Sequence, residues 1–277
     1  MFIIKRDESV TDNSENELLE IATGAVKAAG EILLARFRSQ PSPTDLATLQ
    51  RGIADNDAAV TADLRQLLLA ARPGSHWLEG EDGEGPLPAG EWWVVDPVEG
   101  NVNHLHGRHG WGVAATLVRD GEPWLTVIHE PLKSESYTAI AGCGAFVNGK
   151  VLHVSRKRAL DAAIVATGQA RPNETAAIKE RIAQSAGVML DAALLVRAAV
   201  PTGLELVDVA AGRLDLFWQY GRVAAGLIGG ALLIREAGGV ALDLAGERWT
   251  SAASSFVAGP VELASLSTSI LPQLKGE

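Results

Sequence analysis

The run Trp92-Trp93-Val94-Val95, followed at once by Asp96-Pro97-Val98-Glu99-Gly100, narrows the possible folds of this chain more than any other stretch. Four β-favouring residues in succession read as a buried strand. Pro97 cannot extend a hydrogen-bonded ladder, and Gly100 lets the backbone turn tightly. Two carboxylates three residues apart therefore leave one strand end, where their oxygens can converge on a point. A hard cation such as Mg²⁺ is held by a few carboxylate oxygens together with waters and substrate phosphate. The residues that follow can open a helix whose free N–H groups face an anion. On this reading Asp96 and Glu99 are candidate metal ligands and catalytic acids, and Gly100, Asn101 and Val102 form a candidate phosphate cradle. The competing reading is a strand-end turn whose acids cap the next helix.

Composition sets the wider limits. A chain of 277 residues with 47% hydrophobic content can bury a substantial core, as one large domain or two packed subdomains. Its formal charge of −10 argues against nucleic acid and against anionic membrane as partners, since either requires a basic face. An anionic small-molecule substrate then needs a local metal or arginine. Cys143 is the single cysteine, so no intrachain disulfide or multi-cysteine metal cluster can form, which points to a reducing compartment. No apolar run approaches the ~20 residues of a membrane span, and the N-terminal apolar run is too short for a signal peptide. The expected location is the cytoplasm.

Apolar residues at helical spacing predict a helix over 15–38. Residues 40–55, with Pro41, Pro43 and Gly52, read as a loop or weak hairpin over the site, and 57–72 as a second helix with an acidic start. An antiparallel meander is expected between Trp111 and Ile140, with Asp120-Gly121 as a hairpin turn. Beyond residue 155 the pattern changes to alternating helix and strand: strands near 162–167, 214–218 and 240–244, helices over 174–186, 203–211 and 223–237. The division expected is 1–155 and 156–277, with the site in the cleft between them. His104, His106 and His109 bring three of the six histidines into six residues. Histidine serves acid–base chemistry near neutral pH, which makes His104 and His106 candidates, against ordinary packing or solvent-facing roles.

The stretch from Asp96 to Asn103 resembles the Asp-Pro-Ile-Asp-Gly-Thr-x-Asn signature of the inositol monophosphatase superfamily, the Mg²⁺-dependent, lithium-sensitive sugar and nucleotide phosphatases. Asp96, Pro97, Gly100 and Asn103 fall on it. Glu99 stands at the second Asp, and Asn101 at the Thr that helps position the attacking water. Val127-Ile128-His129-Glu130-Pro131 and Gly144-Ala145-Phe146-Val147-Asn148-Gly149 also resemble the family, as does Glu236-Ala237-Gly238-Gly239. The resemblance implies an α+β fold, a layered α/β/α/β sandwich. It implies Mg²⁺ held by Asp96, Glu99 and an upstream glutamate, taken as Glu81 with Glu79 as the alternative. It associates Asp57, with Asp55 or Asp63 as alternatives, with the metals, and it implies a homodimer.

The departures are specific. The family's Trp-Asp pair falls on Ala225 and Gly226, so its later metal-ligating Asp is missing, and no Asp or Glu lies between Asp215 and Glu236 to replace it. Gln219 stands where inositol-acting members have a substrate-binding Glu. The expectation is a divergent phosphatase of a small monoester with a reduced Mg²⁺ site. The alternatives are a repurposed, metal-independent enzyme and a non-catalytic binding or scaffold protein.

Overall fold

The computed structural model describes residues 11–39, 41–79, 87–168, 174–221 and 224–272. Two helices open the chain, α1 (Thr11–Arg36) and α2 (Leu46–Ala71). A seven-stranded sheet follows: β1 (His76–Trp77), β2 (Glu91–Glu99), then, after the short helix α3 (Asn101–Leu105), β3 (Gly112–Arg119), β4 (Glu122–Glu130), β5 (Glu135–Ile140), β6 (Ala145–Val147) and β7 (Lys150–Val151). The strands lie in sequence order, parallel only at the β1–β2 edge and otherwise antiparallel. Then come β8 (Ile164–Thr167), α4 (Ala176–Ala192), β9 (Leu195–Ala198), α5 (Thr202–Ala210), β10 (Leu216–Tyr220), α6 (Ala224–Glu236), β11 (Val240–Leu242), β12 (Ser255–Gly259) and α7 (Val261–Ile270). The second sheet has the order β11-β12-β10-β8-β9.

The elements stack in layers. Helices α1 and α2 cover one face of the first sheet, and α5 and α6 fill the space between the sheets. Helices α4 and α7 pack against the second sheet, adding a fifth, helical layer to the four expected. Strand β2 is a continuous apolar run because both its faces are buried. Trp93 joins Leu64 and Leu68 of α2 in one buried cluster, while Val94 joins Leu227 and Ile228 of α6 in another. Helix α6 is apolar nearly all round, as a helix between two sheets must be.

Several expected boundaries moved. Helix α2 begins at Leu46, so the loop expected over 40–55 is helical for most of its length and Asp57 lies mid-helix. Asp45 starts it: its carboxylate accepts from the Thr48 N–H at 2.7 Å, and Thr48 Oγ1 accepts from the Asp45 N–H at 3.2 Å. That reciprocal capping box supplies partners for the first turn's otherwise orphan donors. Helix α4 runs on to Ala192, and β9, β12 and α7 join the expected elements.

Candidate active site

Strand β2 carries a β-bulge at its end. Asp96 pairs with Ala114 and Glu99 with Gly112, so three steps along β2 oppose two along β3. In a regular strand residues three apart face opposite ways, and the extra residue cancels that alternation. The two carboxylates consequently meet and share a hydrogen bond. Burial, then the charge of Glu99 and this hydrogen bond, push the Asp96 carboxyl well above the usual carboxylate range, against the Val98 N–H, which Asp96 Oδ1 accepts at 3.0 Å. Gly100 then turns the chain at φ 81°, and a Cβ there would lie 2.7 Å from the Gly110 carbonyl. No other residue fits that turn without strain.

Glu99 is buried, 5% exposed, and its Oε1 accepts the Gly203 backbone N–H at 3.1 Å. Gly203 sits in the first turn of α5, so this bond ties the strand end to the helix layer between the sheets. Beside it, the Thr202 hydroxyl donates to Gln219 Oε1 at 3.3 Å, and Gln219 is itself buried.

Asn101 opens α3 with every polar atom of its side chain engaged. Its Nδ2 donates to Asp57 Oδ1 at 3.0 Å and to the Ile53 carbonyl at 3.3 Å, and its Oδ1 accepts from Asn56 Nδ2 at 2.9 Å. Burial raises the Asp57 carboxyl, which the Asn101 hydrogen bond partly offsets. Asn56 also donates to His104 Nδ1 at 3.0 Å, while His104 Nε2 donates to the Leu33 carbonyl at 2.9 Å. These partners fix His104 as the neutral Nε2–H tautomer, and burial lowers its pKa. His104 is 3% exposed and stacks edge-on to Trp111. It faces the core between α1 and α2, with no ring nitrogen left for a substrate. His106 is exposed, its Nδ1 donating to the Val102 carbonyl at 2.8 Å.

Glu81 lies outside the described residues. Glu79 turns to the surface and pairs with Arg65 at 2.5 Å. Gly226 lies half-buried in the first turn of α6 and contributes no side chain. Among the described residues no three His, Cys, Asp or Glu side chains group closely enough to hold a metal ion. Among the described residues the donors Asp96 and Glu99 fit a single hard cation completed by water and substrate oxygens. No local pattern in the sequence points to Asn56 or to the Gly203 N–H. Asn56 is one residue from Asp57, and only the three-dimensional network distinguishes it.

The layered fold and the strand-end carboxylates match a known class. The inositol monophosphatase family model covers residues 14–275, and the chain belongs to that family. It is 33% identical over 260 residues to an inositol-1-monophosphatase of Rhizobium meliloti, covering 91% of this chain and 94% of that one. It is 31% identical over 273 residues to the Nus factor SuhB of Pseudomonas aeruginosa, covering 93% and 97%. Among solved structures, the extragenic suppressor protein suhB of Bartonella henselae superposes with a TM-score of 0.75 at 26% identity, covering 94% of this chain and 99% of that one. An inositol monophosphatase from Anabaena gives 0.76 at 25% identity, with 95% and 98% covered.

Proposed function

We propose that this chain is a divergent phosphatase of its family, hydrolysing a small phosphate monoester with a reduced Mg²⁺ site. The observation that carries the reading is the bulge that brings Asp96 and Glu99 together beside the turn at Gly100. Asp96 and Glu99 would hold the cation, joined by Glu81 from the acidic segment. When bound, Mg²⁺ neutralises phosphate charge and acidifies a coordinated water. Gly100, Asn101 and Val102 present backbone N–H groups to the phosphate. Asn101 itself is held by Asp57 and Asn56, so it orients the cradle and does not turn its side chain to a water. His104 positions this network from behind, and His106, exposed on the solvent side of α3, is the histidine proposed for proton transfer. Gln219 in place of a glutamate favours a substrate other than an inositol phosphate. The protein is proposed to be cytoplasmic and homodimeric.

A second reading is favoured by one observation: Glu99 already has a buried partner in the Gly203 N–H. A carboxylate held there is less available to a cation, so the cation binds weakly or is absent. The pocket then serves metal-independent chemistry or simple binding. The names of the relatives span an inositol-1-monophosphatase and a Nus factor.

Calorimetric titration with Mg²⁺ and Mn²⁺, run beside phosphate release over a panel of sugar, inositol and nucleotide phosphates, separates the two. Metal binding and phosphate release that both vanish in Asp96→Asn support the phosphatase. Neither in the parent protein leaves the second reading.

A further inference from the structure

Most arginines described in this acidic chain are paired with carboxylates, as Arg65 is with Glu79, Arg72 with Glu91, Arg119 with Glu15 and Glu91, and Arg213 with Asp208. Arg36, Arg38 and Arg51 are different. All three line one hollow of about 570 Å³, between the end of α1, the segment up to Asp45 and the first turns of α2. None of the three has a carboxylate partner among the described residues.

Two of these guanidiniums are held by neutral acceptors. Arg36 Nε donates to Asn56 Oδ1 at 2.9 Å and its Nη2 to the Asp55 carbonyl at 3.3 Å. Arg38 donates from Nε and Nη2 to the Gly107 carbonyl, at 3.2 and 3.0 Å, with its guanidinium 4.8 Å above the Phe37 ring. A carbonyl or amide oxygen orients a guanidinium without cancelling its charge, so these donors are preorganised and remain cationic. Arg51 is exposed and makes no hydrogen bond or ion pair among the described residues. Asp55 is the one acid in the lining, and its carbonyl, not its carboxylate, is what Arg36 engages. The lining therefore carries an excess of positive charge in a protein of net charge −10.

Arginine forks suit phosphate oxygens, and the hollow lies within the range of roughly 300–1,000 Å³ typical of small-molecule sites. Inorganic phosphate alone would leave most of it empty, while Ser42 and Thr44 in the lining offer hydroxyls to the rest of an organic molecule. Asp96 and Glu99 do not line it, so it is separate from the strand-end carboxylates. We propose that this hollow is a second anion site, taking a small organic phosphate on Arg36, Arg38 and Arg51 apart from the carboxylates Asp96 and Glu99.

The test is calorimetry on the full chain in the presence of a chelator, with ribose 5-phosphate and pyrophosphate as probes. The proteins are the parent, Arg51→Glu, and the double variant Arg38→Gln/Arg51→Gln. Both altered side chains are exposed, and Arg51→Glu leaves the Arg38–Gly107 contact intact. The expected result is binding to the parent that weakens with added salt and falls about tenfold or more in each variant, a difference of ~1.4 kcal/mol per tenfold. Absence of binding to the parent at millimolar probe would overturn the proposal. So would equal affinity in all three proteins, which would place the anion in the cleft. Neither result depends on whether the protein releases phosphate.

Discussion

Glu99 Oε1 lies 3.1 Å from the Gly203 N–H, so a carboxylate at the end of β2 caps the first turn of α5. The contact is close: a Cβ on Gly203 would come within 2.9 Å of Glu99 Cδ. An aspartate at 99 is one methylene too short to reach. Its oxygens would stay beside Asp96, and an aspartate at Gly226 would add a carboxylate in the first turn of α6, where the resemblance places the family's later Asp. We expect Glu99→Asp/Gly226→Asp to bind Mg²⁺ at least about tenfold more tightly than the parent, because carboxylate count and freedom set affinity for hard cations. Identical Mg²⁺ isotherms for the two proteins would show that the Gly203 contact does not limit metal binding.

Asp96 is held with a raised pKa by burial and by Glu99. An acid whose folded pKa exceeds its unfolded value binds its proton more tightly when folded. Stability is then greatest below the ordinary aspartate range and falls as pH rises from there to the folded pKa. In chelator, Asp96→Asn is therefore expected to unfold at a higher temperature than the parent at neutral pH. The difference should shrink as pH falls below about 4, near the ordinary aspartate pKa. A variant less stable than the parent at pH 7 would contradict this account.

His104 and His106 separate by environment. Replacing His104 with Ala opens a cavity beside Trp111 and strands the Asn56 amide, so a loss of about 2–4 kcal/mol at pH 8 is expected. The His104 pKa is lowered by burial. Acidification below about 6.5, the ordinary histidine value, therefore erodes the parent's stability while leaving the variant's unchanged at this position, and the gap narrows. His106→Ala, at an exposed position, should stay within about 0.5 kcal/mol of the parent. Denaturant melts of both variants at pH 8 and pH 5.5 decide the matter, and a gap for His104→Ala that widens on acidification would refute it.

What could be read from the sequence followed from local pattern. The meander from β3 to β5 announces itself by alternation and by Asp120-Gly121, and the pairing of Asp96 with Glu99 by spacing and Gly100. The first turns of α2 did not, because every buried residue of that helix lies from Asn56 onward, leaving residues 46–55 without an apolar stripe. Strand β12 is five buried residues, Ser255 to Gly259, too short for periodicity to separate strand from helix. Three steps against two at the bulge, and the Glu99–Gly203 bond across 104 positions, are products of tertiary packing that no window of sequence contains. The arginines of the hollow come from two helices and the segment between them, which is why an acidic overall charge concealed them.

Helix α6 reaches its place between the sheets through two adjacent glycines. A Cβ on Gly229 would lie 2.7 Å from both Thr116 Oγ1 and Thr126 Oγ1, and one on Gly230 would lie 2.4 Å from Leu206 Cβ in α5. Leu206 is fully buried and the threonine pair lies within the sheet, so neither neighbour can move aside cheaply. An alanine gains up to about 1 kcal/mol in helix propensity over glycine, but overpacking a tight contact costs about 1–3 kcal/mol. Gly230→Ala is therefore expected to destabilise the protein on balance, and Gly230→Val more so. Gly187 in α4 supplies the contrast, since a Cβ there meets nothing within 4 Å and the residue is exposed. Gly187→Ala should stabilise by about 0.5–1 kcal/mol through propensity alone. Urea melts of the two alanine variants should move in opposite directions from the parent. A Gly230→Ala protein as stable as Gly187→Ala would mean that α5 and α6 can separate without loss, against the close packing that sets the position of Gly203, and with it the partner of Glu99.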